Sequence, residues 1–322
     1  MGRLMYLSYR LYNKGIVLYR KLFFRNKRYR PRKLSGRRLL TAEEGNRCLK
    51  ELIQSGKPFC AVRYGGTELN TYCEGKEYLL GLRKTMRQSI ADTAQSQSGF
   101  FPTQTSYIPR FTRLLEDVSP EIDFLAVYAS FMENYMVRKH CRRDMYVSDN
   151  RSLEPYYFEA DEVWSSALVG KKVLVIHPFA DSIRSQYENH REKLFENPHI
   201  LPEFQLLTMK AVQTIAGTPD PRFRDWFEAL EYMEKEALKL DFDIALIGCG
   251  FYGLPLACLL KRAGKQAIHI GGATQILFGI RGRRWELNSK EVPALFNEYW
   301  TRPSAEETPE NKSANEFGGA YW

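Results

Sequence analysis

The first 40 residues of this 322-residue chain lack acidic side chains altogether, although they contain 13 lysines and arginines. The rest of the chain holds 34 basic and 38 acidic residues, so the formal net charge of +9 comes entirely from the N-terminal segment. A protein that binds nucleic acid through its folded body normally carries basic residues on that body as well. We therefore expect no nucleic-acid partner, and instead a local anionic partner for residues 1–40.

Long apolar runs and paired cysteines are also missing. No stretch of 18 uncharged apolar residues occurs, and the N-terminus lacks the continuous apolar core of a signal peptide, so we expect neither a membrane-spanning helix nor a signal peptide. The six cysteines form no Cys-x-x-Cys pair, which argues against a zinc ribbon or a dithiol motif. Reduced thiols in a cytoplasmic protein fit this pattern.

The N-terminal segment does contain leucines near helical spacing with basic residues between them: Leu4, Leu7, Leu11, Leu18 and Leu22. Such an amphipathic helix can lie in the headgroup layer of a membrane, where each base contributes roughly 1 kcal/mol through anionic lipid. The alternative is a helix docked on the protein's own body, followed by a solvated charged linker. The lack of acids favours a membrane-surface segment over residues 1–40, at the inner face of the plasma membrane.

Residues 41–300 alternate apolar strand patterns with amphipathic helix patterns, which predicts an α/β fold with a mostly parallel sheet. The predicted strands are 59–63, 123–129, 172–177, 243–247 and 266–270, and residues 132–170 are predicted to be irregular. Parallel sheets bind ligands at the carboxyl ends of their strands. The turns that follow these strands should therefore lie along one edge. Residues 301–322 form a polar tail, and its stretch 303–315 is expected to be loosely held.

One such turn, Gly248 to Gly253, has the Gly-x-Gly-x-x-Gly spacing of loops that bind phosphate at a helix N-terminus. A nicotinamide or flavin enzyme would also carry an acid near the end of the next strand, where this chain has His269-Ile270-Gly271-Gly272. We therefore expect no NAD. Two interpretations stay open for the loop, namely contact with the phosphate or sugar of another ligand and a turn needed only for packing.

Several polar residues near predicted strand ends are candidate ligands for a substrate. His177 and His269 could hydrogen-bond a substrate or a diphosphate oxygen, or serve as structural residues. Arg283 and Arg284 could supply positive charge to a diphosphate, or lie in a solvated loop. In the turn Arg63-Tyr64-Gly65-Gly66-Thr67-Glu68, Arg63 could bind phosphate and Glu68 could act as a general base or metal ligand; alternatively, Glu68 caps the next helix and pairs with Arg63.

The Arg63–Glu68 turn resembles the Arg-Phe-Gly-Asp-Gly-Glu signature of bacterial GT-D-type glycosyltransferases. The stretches 172–186, 246–256 and 265–285 are similar to proteins of the same superfamily in capsule and O-antigen gene clusters. The resemblance covers about residues 45–300 and implies a Rossmann-like GT-D-type sheet with flanking helices, a nucleotide-diphosphate-sugar donor and a glycan acceptor. We expect Glu68, Arg63 and His269 to be catalytic, and the nucleotide-sugar-binding residues to be Gly65, Gly66, Thr67, His177, Gly248, Gly250, Tyr252, Gly253, Gly271, Gly272, Gln275, Arg283 and Arg284.

The chain departs from this signature at the metal site. In the GT-D pattern an Asp-x-Glu pair binds the divalent ion that neutralises the donor diphosphate, whereas Gly66 stands here at the Asp position. A Mn²⁺ or Mg²⁺ ion would have Glu68 as its protein ligand and would be recruited through the diphosphate and water. Alternatively, Arg63, the glycine-turn amides and Arg283 or Arg284 would carry the charge, and Glu68 would deprotonate the acceptor.

These features together favour a peripheral-membrane glycosyltransferase of surface-polysaccharide biosynthesis with a lipid-linked acceptor. Anchoring such an enzyme at the bilayer raises its effective concentration toward an acceptor confined there. Two alternatives are a Rossmann-type oxidoreductase or other nucleotide-cofactor transferase, and a non-catalytic scaffold of a glycan-assembly complex.

Overall fold

The computed structural model describes residues 2–23, 32–158, 163–218 and 220–322. A short hairpin in this part of the chain precedes a sheet of seven strands. The hairpin consists of β1 (Lys33–Leu34) and β2 (Arg37–Arg38), and the sheet of β3 (Phe59–Val62), β4 (Phe124–Val127), β5 (Tyr146–Asp149), β6 (Lys172–His177), β7 (Gln205–Lys210), β8 (Ile244–Ile247) and β9 (Gln266–His269).

The sheet has the order β5-β4-β3-β9-β8-β6-β7, and every neighbouring pair of strands is parallel. All residues of the central strands β3, β8 and β9 are buried, as expected where helices cover both faces of a parallel sheet. The chain leaves β6 toward β7 but leaves β8 toward β9. This reversal creates a crevice at the carboxyl ends of β6 and β8, and the predicted Rossmann-like α/β fold is confirmed.

Helices cover both faces of the sheet. Alternate residues of β3 enter two separate cores, with Cys60 and Val62 on one face and Phe59 and Ala61 on the other. Helices α1, α3–α6, α8 and α9 contribute to the first core, and α2, α7 and α10 to the second. The helices are α1 (Gly2–Phe23), α2 (Ala42–Gln54), α3 (Gly66–Leu79), α4 (Gln88–Ser98), α5 (Ile108–Val118), α6 (Glu133–Lys139), α7 (Ala180–His190), α8 (Trp226–Leu238), α9 (Gly253–Arg262), α10 (Thr274–Leu277) and α11 (Arg283–Asn288).

The five predicted strands are present within one or two residues at each end, but the two strands at the sheet edges were not predicted. Strand β5 lies inside the stretch 132–170 that the sequence predicts to be irregular, and so does α6. An edge strand has one neighbour and can leave side chains exposed, as Tyr146 of β5 and both ends of β7 do. Edge strands therefore lack the continuous apolar run that marks a central strand.

The C-terminal tail is packed, so the prediction that residues 303–315 are loosely held is wrong. The carboxylate of Glu307 is buried and accepts the backbone N–H groups of Asp181 (2.9 Å) and Ser182 (3.2 Å) at the start of α7. Asn315 donates to the carbonyl of Ser96 (3.1 Å), and the Trp322 indole donates to the carbonyl of Glu307 (3.1 Å). The polar composition suggested a loosely held tail, but the polar groups of the tail form hydrogen bonds within the fold.

Helix α1 contacts the body through one narrow face. Tyr6 is fully buried and packs edge-to-face on Tyr135, with ring centroids 5.2 Å apart, while Arg10 pairs with Glu77 at 3.0 Å. Away from this face, leucines of the predicted apolar stripe are 57–76% exposed, namely Leu4, Leu11, Leu18 and Leu22. The helix therefore docks on the body and still presents an apolar surface to its surroundings. Among the described helices, none combines the length and apolar character needed to cross a membrane.

Candidate functional site

A cavity of about 290 Å³, called here the edge cavity, lies at the carboxyl ends of β3 and β9. Its lining includes Arg63 after β3, Gly271 and Gly272 after β9, and Arg284 at the start of α11. A smaller space of about 70 Å³, the side cleft, lies at the ends of β6 and β8 and includes His177. The two spaces share five lining residues, namely Gln97, Ser98, Gly250, Gly272 and Tyr321. As the sequence predicted, the turns after these strands meet at one edge of the sheet.

Arg63 is held in the edge cavity by groups that are distant in sequence. Its Nη1 atom lies 3.4 Å from Oε1 of Glu154, and its guanidinium carbon lies 5.7 Å from the ring centroid of Tyr128. Gly271 has φ +73°, and a Cβ atom there would overlap with the Arg63 guanidinium. Glycine at this position thus permits both the left-handed turn and the close approach of Arg63.

Glu68 lies in the first turn of α3, and its half-buried carboxylate folds back over Gly65, the residue before the helix. Burial raises the pKa of Glu68, while its own backbone N–H and the charge of Arg63 act in the opposite direction. The ion pair of Arg63 is made with Glu154 rather than with Glu68. A carboxylate with a raised pKa is a stronger base than an ordinary surface glutamate.

His269 is buried at the end of β9 and lines the edge cavity. Its Nδ1 atom lies 3.3 Å from the carbonyl oxygen of Ile247, and since a carbonyl only accepts, Nδ1 carries the proton and Nε2 the lone pair. Burial, together with the charge of Arg63, lowers the pKa of His269 to about 3. The ring is therefore neutral near pH 7 and serves as a hydrogen-bond acceptor.

The glycines of the Gly248–Gly253 motif serve different purposes. A Cβ atom at Gly253 would overlap with the His269 ring, and one at Gly248 would lie 2.6 Å from both His177 and Thr274. These two glycines permit close packing at the sheet edge, and Gly253 lies outside both cavities. Gly250, with φ +56°, is the member of the motif that lines both of them.

The side cleft is built from buried rings. Nδ1 of His177 accepts the backbone N–H of Phe179 at 3.0 Å, so the proton of this imidazole lies on Nε2, and burial lowers the pKa of His177 to about 3. Tyr252 stacks on Trp226 with ring centroids 4.9 Å apart. The cleft thus offers neutral, largely apolar walls beside the charged edge cavity.

The remaining predicted residues divide between the cavity and its surroundings. Gly65, Gly66 and Thr67 line the edge cavity. Gln275 does not, because its buried amide donates to the carbonyls of Arg281 and Tyr321, both at 3.1 Å. Arg283 also lies outside the cavity, whereas its neighbour Arg284 lines it.

Sequence reasoning missed the contribution of the tail to the edge cavity. Glu316 pairs with Arg284 at 3.2 Å, and Tyr321 packs against Gly272. The backbone N–H of Arg284 also donates to the carbonyl of Ala320 at 2.9 Å, which fixes the tail beside α11. No sequence spacing links these segments. Tyr128 and Glu154 were missed as well, although Tyr128 falls within the predicted strand 123–129 and could have been tested as a strand-end residue.

Among the described residues, the edge cavity brings together no cluster of three or more metal-ligating side chains, that is, of His, Cys, Asp or Glu placed to hold a metal ion. Glu154 is engaged by Arg63 and by the Tyr156 hydroxyl (2.7 Å), and Glu316 by Arg284. A Cβ atom at Gly66 would have no neighbour within 4 Å, so the position of the missing aspartate is open space.

No protein-family model matches the chain, and no curated protein is significantly similar to it. Among solved structures, the chain is similar to the selenomethionine-substituted structure of domain of unknown function 1792, with 16% identity, a TM-score of 0.41 and coverage of 74% of this chain and 80% of that one. Another, described as showing that this highly conserved domain has a distinct glycosyltransferase fold, is 13% identical, with a TM-score of 0.43 and coverage of 88% and 96%. Likenesses this distant do not identify the activity of the chain.

Proposed function

We propose that the protein is a glycosyltransferase that moves a sugar from a nucleotide-diphosphate donor to a carbohydrate acceptor. The observation that carries this proposal is the placement of Arg63 and Arg284 in one cavity at the carboxyl edge of a parallel sheet, beside Glu68. Nucleotides bind at this edge of such sheets, and paired guanidinium groups suit a diphosphate. The resemblance of the Arg63–Glu68 turn to the GT-D signature favours sugar transfer among nucleotide chemistries.

In the proposed reaction, the acceptor hydroxyl attacks the anomeric carbon of the donor sugar. The bond from that carbon to the diphosphate breaks, and the leaving diphosphate keeps the electron pair. Arg63 and Arg284 stabilise the charge that develops on it. Glu68 takes the proton of the acceptor hydroxyl, for which its raised pKa suits it. His269 is too weak a base for this step, so we assign it a positioning role as a hydrogen-bond acceptor toward a donor hydroxyl.

The charges that line the cavity bear on how the donor binds. Glu316 already neutralises Arg284, and a donor diphosphate must compete with this carboxylate for the same guanidinium. We therefore expect donor binding to displace Glu316 from Arg284. No step of the proposed reaction requires a metal ion, because two arginines carry the diphosphate charge.

A thermal-shift screen of the full chain tests the donor class. Uridine and guanosine diphosphates, their sugars, NAD and S-adenosylmethionine are each added with and without Mn²⁺. A ligand that binds the folded state at a concentration about 100-fold above its Kd stabilises the protein by about 2.7 kcal/mol. The proposal predicts a shift with one nucleoside diphosphate and its sugars. A larger shift with NAD or S-adenosylmethionine would favour another nucleotide-dependent enzyme, and the lack of any shift would favour a scaffold.

We extend the proposal to the inner face of the plasma membrane, where the exposed leucines of α1 would enter the headgroup layer. The charge supports this, because bases of α1 such as Arg3 and Lys14 are exposed and have no acidic partner among the described residues. A membrane-bound enzyme suits a lipid-linked acceptor. Co-sedimentation with phosphatidylglycerol vesicles tests this, since Leu11→Glu with Leu18→Glu should abolish binding that the wild type shows. Equal binding by both proteins would refute it.

A further inference from the structure

A third cavity, of about 790 Å³, lies between α1, the β1–β2 hairpin and the loop that follows β4. We call it the N-terminal cavity. Its polar lining includes the hydroxyls of Ser8 and Ser130 and the amide side chains of Asn13 and Asn134. Ser8 and Asn13 already donate to the carbonyls of Met5 (2.8 Å) and Tyr9 (2.7 Å), and the lining also includes apolar side chains such as Ile16 and Leu34. The cavity is therefore mixed in polarity, and its volume lies in the range of small-molecule sites.

The N-terminal cavity is basic. Arg20 of α1 lines it together with Arg32 and Lys33 beside the hairpin, and none of the three has an ion-pair partner among the described residues. The acid that lines it, Glu133, is buried and accepts the backbone N–H groups of Tyr128 (3.1 Å) and Ser130 (3.0 Å). Burial raises the pKa of Glu133 to about 7. The positive charge of the three bases is therefore largely available to an anion.

A single loop separates the N-terminal cavity from the edge cavity. Tyr128, at the end of β4, lines the edge cavity, and the next two residues, Ala129 and Ser130, line the N-terminal cavity. Helix α1 helps to hold this loop, because the Asn13 side chain accepts the backbone N–H of Met132 at 3.3 Å. A ligand in the N-terminal cavity thus lies one stretch of backbone away from the candidate catalytic groups.

The rim of the N-terminal cavity continues into the exposed apolar surface of α1. Tyr12 lines the cavity and is 61% exposed, and Leu11 and Leu18 nearby on α1 are 70% and 57% exposed. An amphiphile could therefore place its charged group among the bases while its hydrocarbon chain follows this surface into the membrane. A free anion would contact the bases only, and the exposed apolar residues of the rim would contact no part of the ligand.

From this arrangement, and resting on the proposed glycosyl transfer, we infer that the N-terminal cavity binds the phosphate or diphosphate of a lipid-linked acceptor. The glycan that this phosphate carries extends past Tyr128 into the edge cavity, and the lipid chain lies along the exposed leucines of α1. The ligand class is a prenyl phosphate ester. It is recognised by Arg20, Arg32 and Lys33 through charge-assisted hydrogen bonds to phosphate oxygens.

Titration of the full-length protein with farnesyl diphosphate, a short soluble prenyl diphosphate, tests the inference. One variant combines Arg20→Gln and Lys33→Gln in the cavity. The matched control combines Arg138→Gln and Lys139→Gln, which removes the same charge from exposed positions at the end of α6 outside the cavity. We expect the cavity variant to bind the probe about tenfold or more weakly and the control to bind within about twofold of the wild type. Equal loss in both variants, or no binding by the wild type, would overturn the inference.

Two competition experiments locate the probe. If excess uridine or guanosine diphosphate displaces farnesyl diphosphate, the probe occupies the edge cavity and the inference is overturned. Inorganic diphosphate that binds as tightly as the probe would equally contradict a prenyl ligand. Binding of the nucleotides to the same proteins is measured in parallel. If the nucleotides do not bind, the proposed donor is contradicted, but the farnesyl diphosphate result for the N-terminal cavity still stands. The failure of the proposed function and the failure of this inference are therefore distinguishable.

Discussion

The edge cavity and the N-terminal cavity both collect cationic side chains, but they neutralise them differently. Arg63 and Arg284 are each paired with a glutamate, and the sheet edge fixes their positions. Arg20, Arg32 and Lys33 have no such partners in the described chain, and they lie on or beside the amphipathic helix α1, whose leucines are exposed. Paired charges in a rigid cavity favour selection by geometry, whereas unpaired exposed charges favour attraction over distance. We therefore expect the edge cavity to select the donor and the N-terminal cavity to capture the acceptor.

The largest effect is expected from Glu68→Gln, which removes the proposed base of the edge cavity. Transfer, measured as acceptor-dependent release of nucleoside diphosphate, should fall by about 10²–10⁴-fold while nucleotide binding is retained. In the wild type, transfer should decrease as the pH falls through the raised pKa of Glu68, because protonation removes the base. Unchanged transfer by the variant would show that Glu68 only caps α3.

Two neighbouring arginines test whether the edge cavity selects by position. Arg284 lines the cavity and Arg283 does not, although both carry the same charge at the start of α11. Arg284→Gln should weaken nucleoside diphosphate binding about tenfold, as expected for a lost charge-assisted contact. Arg283→Gln should leave the dissociation constant within about twofold. Equal weakening in calorimetric titrations would mean that general charge, rather than placement, governs binding.

Ionic strength should separate the two cavities. Raising the salt concentration from about 0.01 M to about 0.1 M shortens the Debye length from about 30 Å to about 10 Å. Binding of farnesyl diphosphate should weaken more steeply than nucleotide binding, because Arg32 and Lys33 are exposed and the bases of the N-terminal cavity have no ion-pair partner among the described residues. The slopes of log Kd against log salt give the comparison. Equal slopes would contradict the proposed difference in charge pairing between the two cavities.

A smaller change in nucleotide affinity, in the opposite direction, is expected when Glu316 of the C-terminal tail is replaced. Glu316→Gln removes the carboxylate that pairs with Arg284 and that, in the proposed site, competes with the diphosphate. Nucleotide affinity should therefore increase about two- to fivefold, a range typical of a partly exposed ion pair. Glu310→Gln is the matched control, since Glu310 is an exposed tail acid outside both cavities. Titration that finds lower affinity for Glu316→Gln would mean that this glutamate holds Arg284 in place.

The smallest effect on the folded protein is expected from Gly66→Asp, which restores the Asp-x-Glu spacing. The added side chain enters open space in the first turn of α3, where an acid interacts favourably with the helix N-terminus. Its unfolding free energy should be unchanged or higher by at most about 1 kcal/mol. Activity of this variant should respond more strongly to Mn²⁺ than that of the wild type. A large loss of stability in thermal unfolding would show that the position is not open.

The sequence predicted the central strands because their apolar runs are buried on both faces, and it placed the turns along one edge because all parallel strands end there. The partners of the arginines could not be predicted. Glu154 and Glu316 are far from Arg63 and Arg284 in sequence, and folding alone brings them together. The role of the Gly248–Gly253 motif could not be predicted for a similar reason. Gly253 leaves space for the His269 ring, and no rule of sequence spacing indicates this contact. For α1, docking on the body is observed through Tyr6 and Arg10, and the membrane-surface role stays a prediction that the exposed leucines leave open.

The most direct test of the account is calorimetric titration of uridine and guanosine diphosphates into the wild type and into Arg63→Gln. Arg63 lies in the edge cavity against Gly271 and pairs with Glu154. Its loss removes the proposed contact to phosphate and leaves the buried carboxylate of Glu154, which has the same sign of charge as the ligand, without this partner. We predict that one nucleotide binds the wild type at a ratio of one to one and binds the folded variant at least about tenfold more weakly. Equal affinity for the two proteins, or no binding of either nucleotide to the wild type, would contradict a nucleotide-sugar site in the edge cavity.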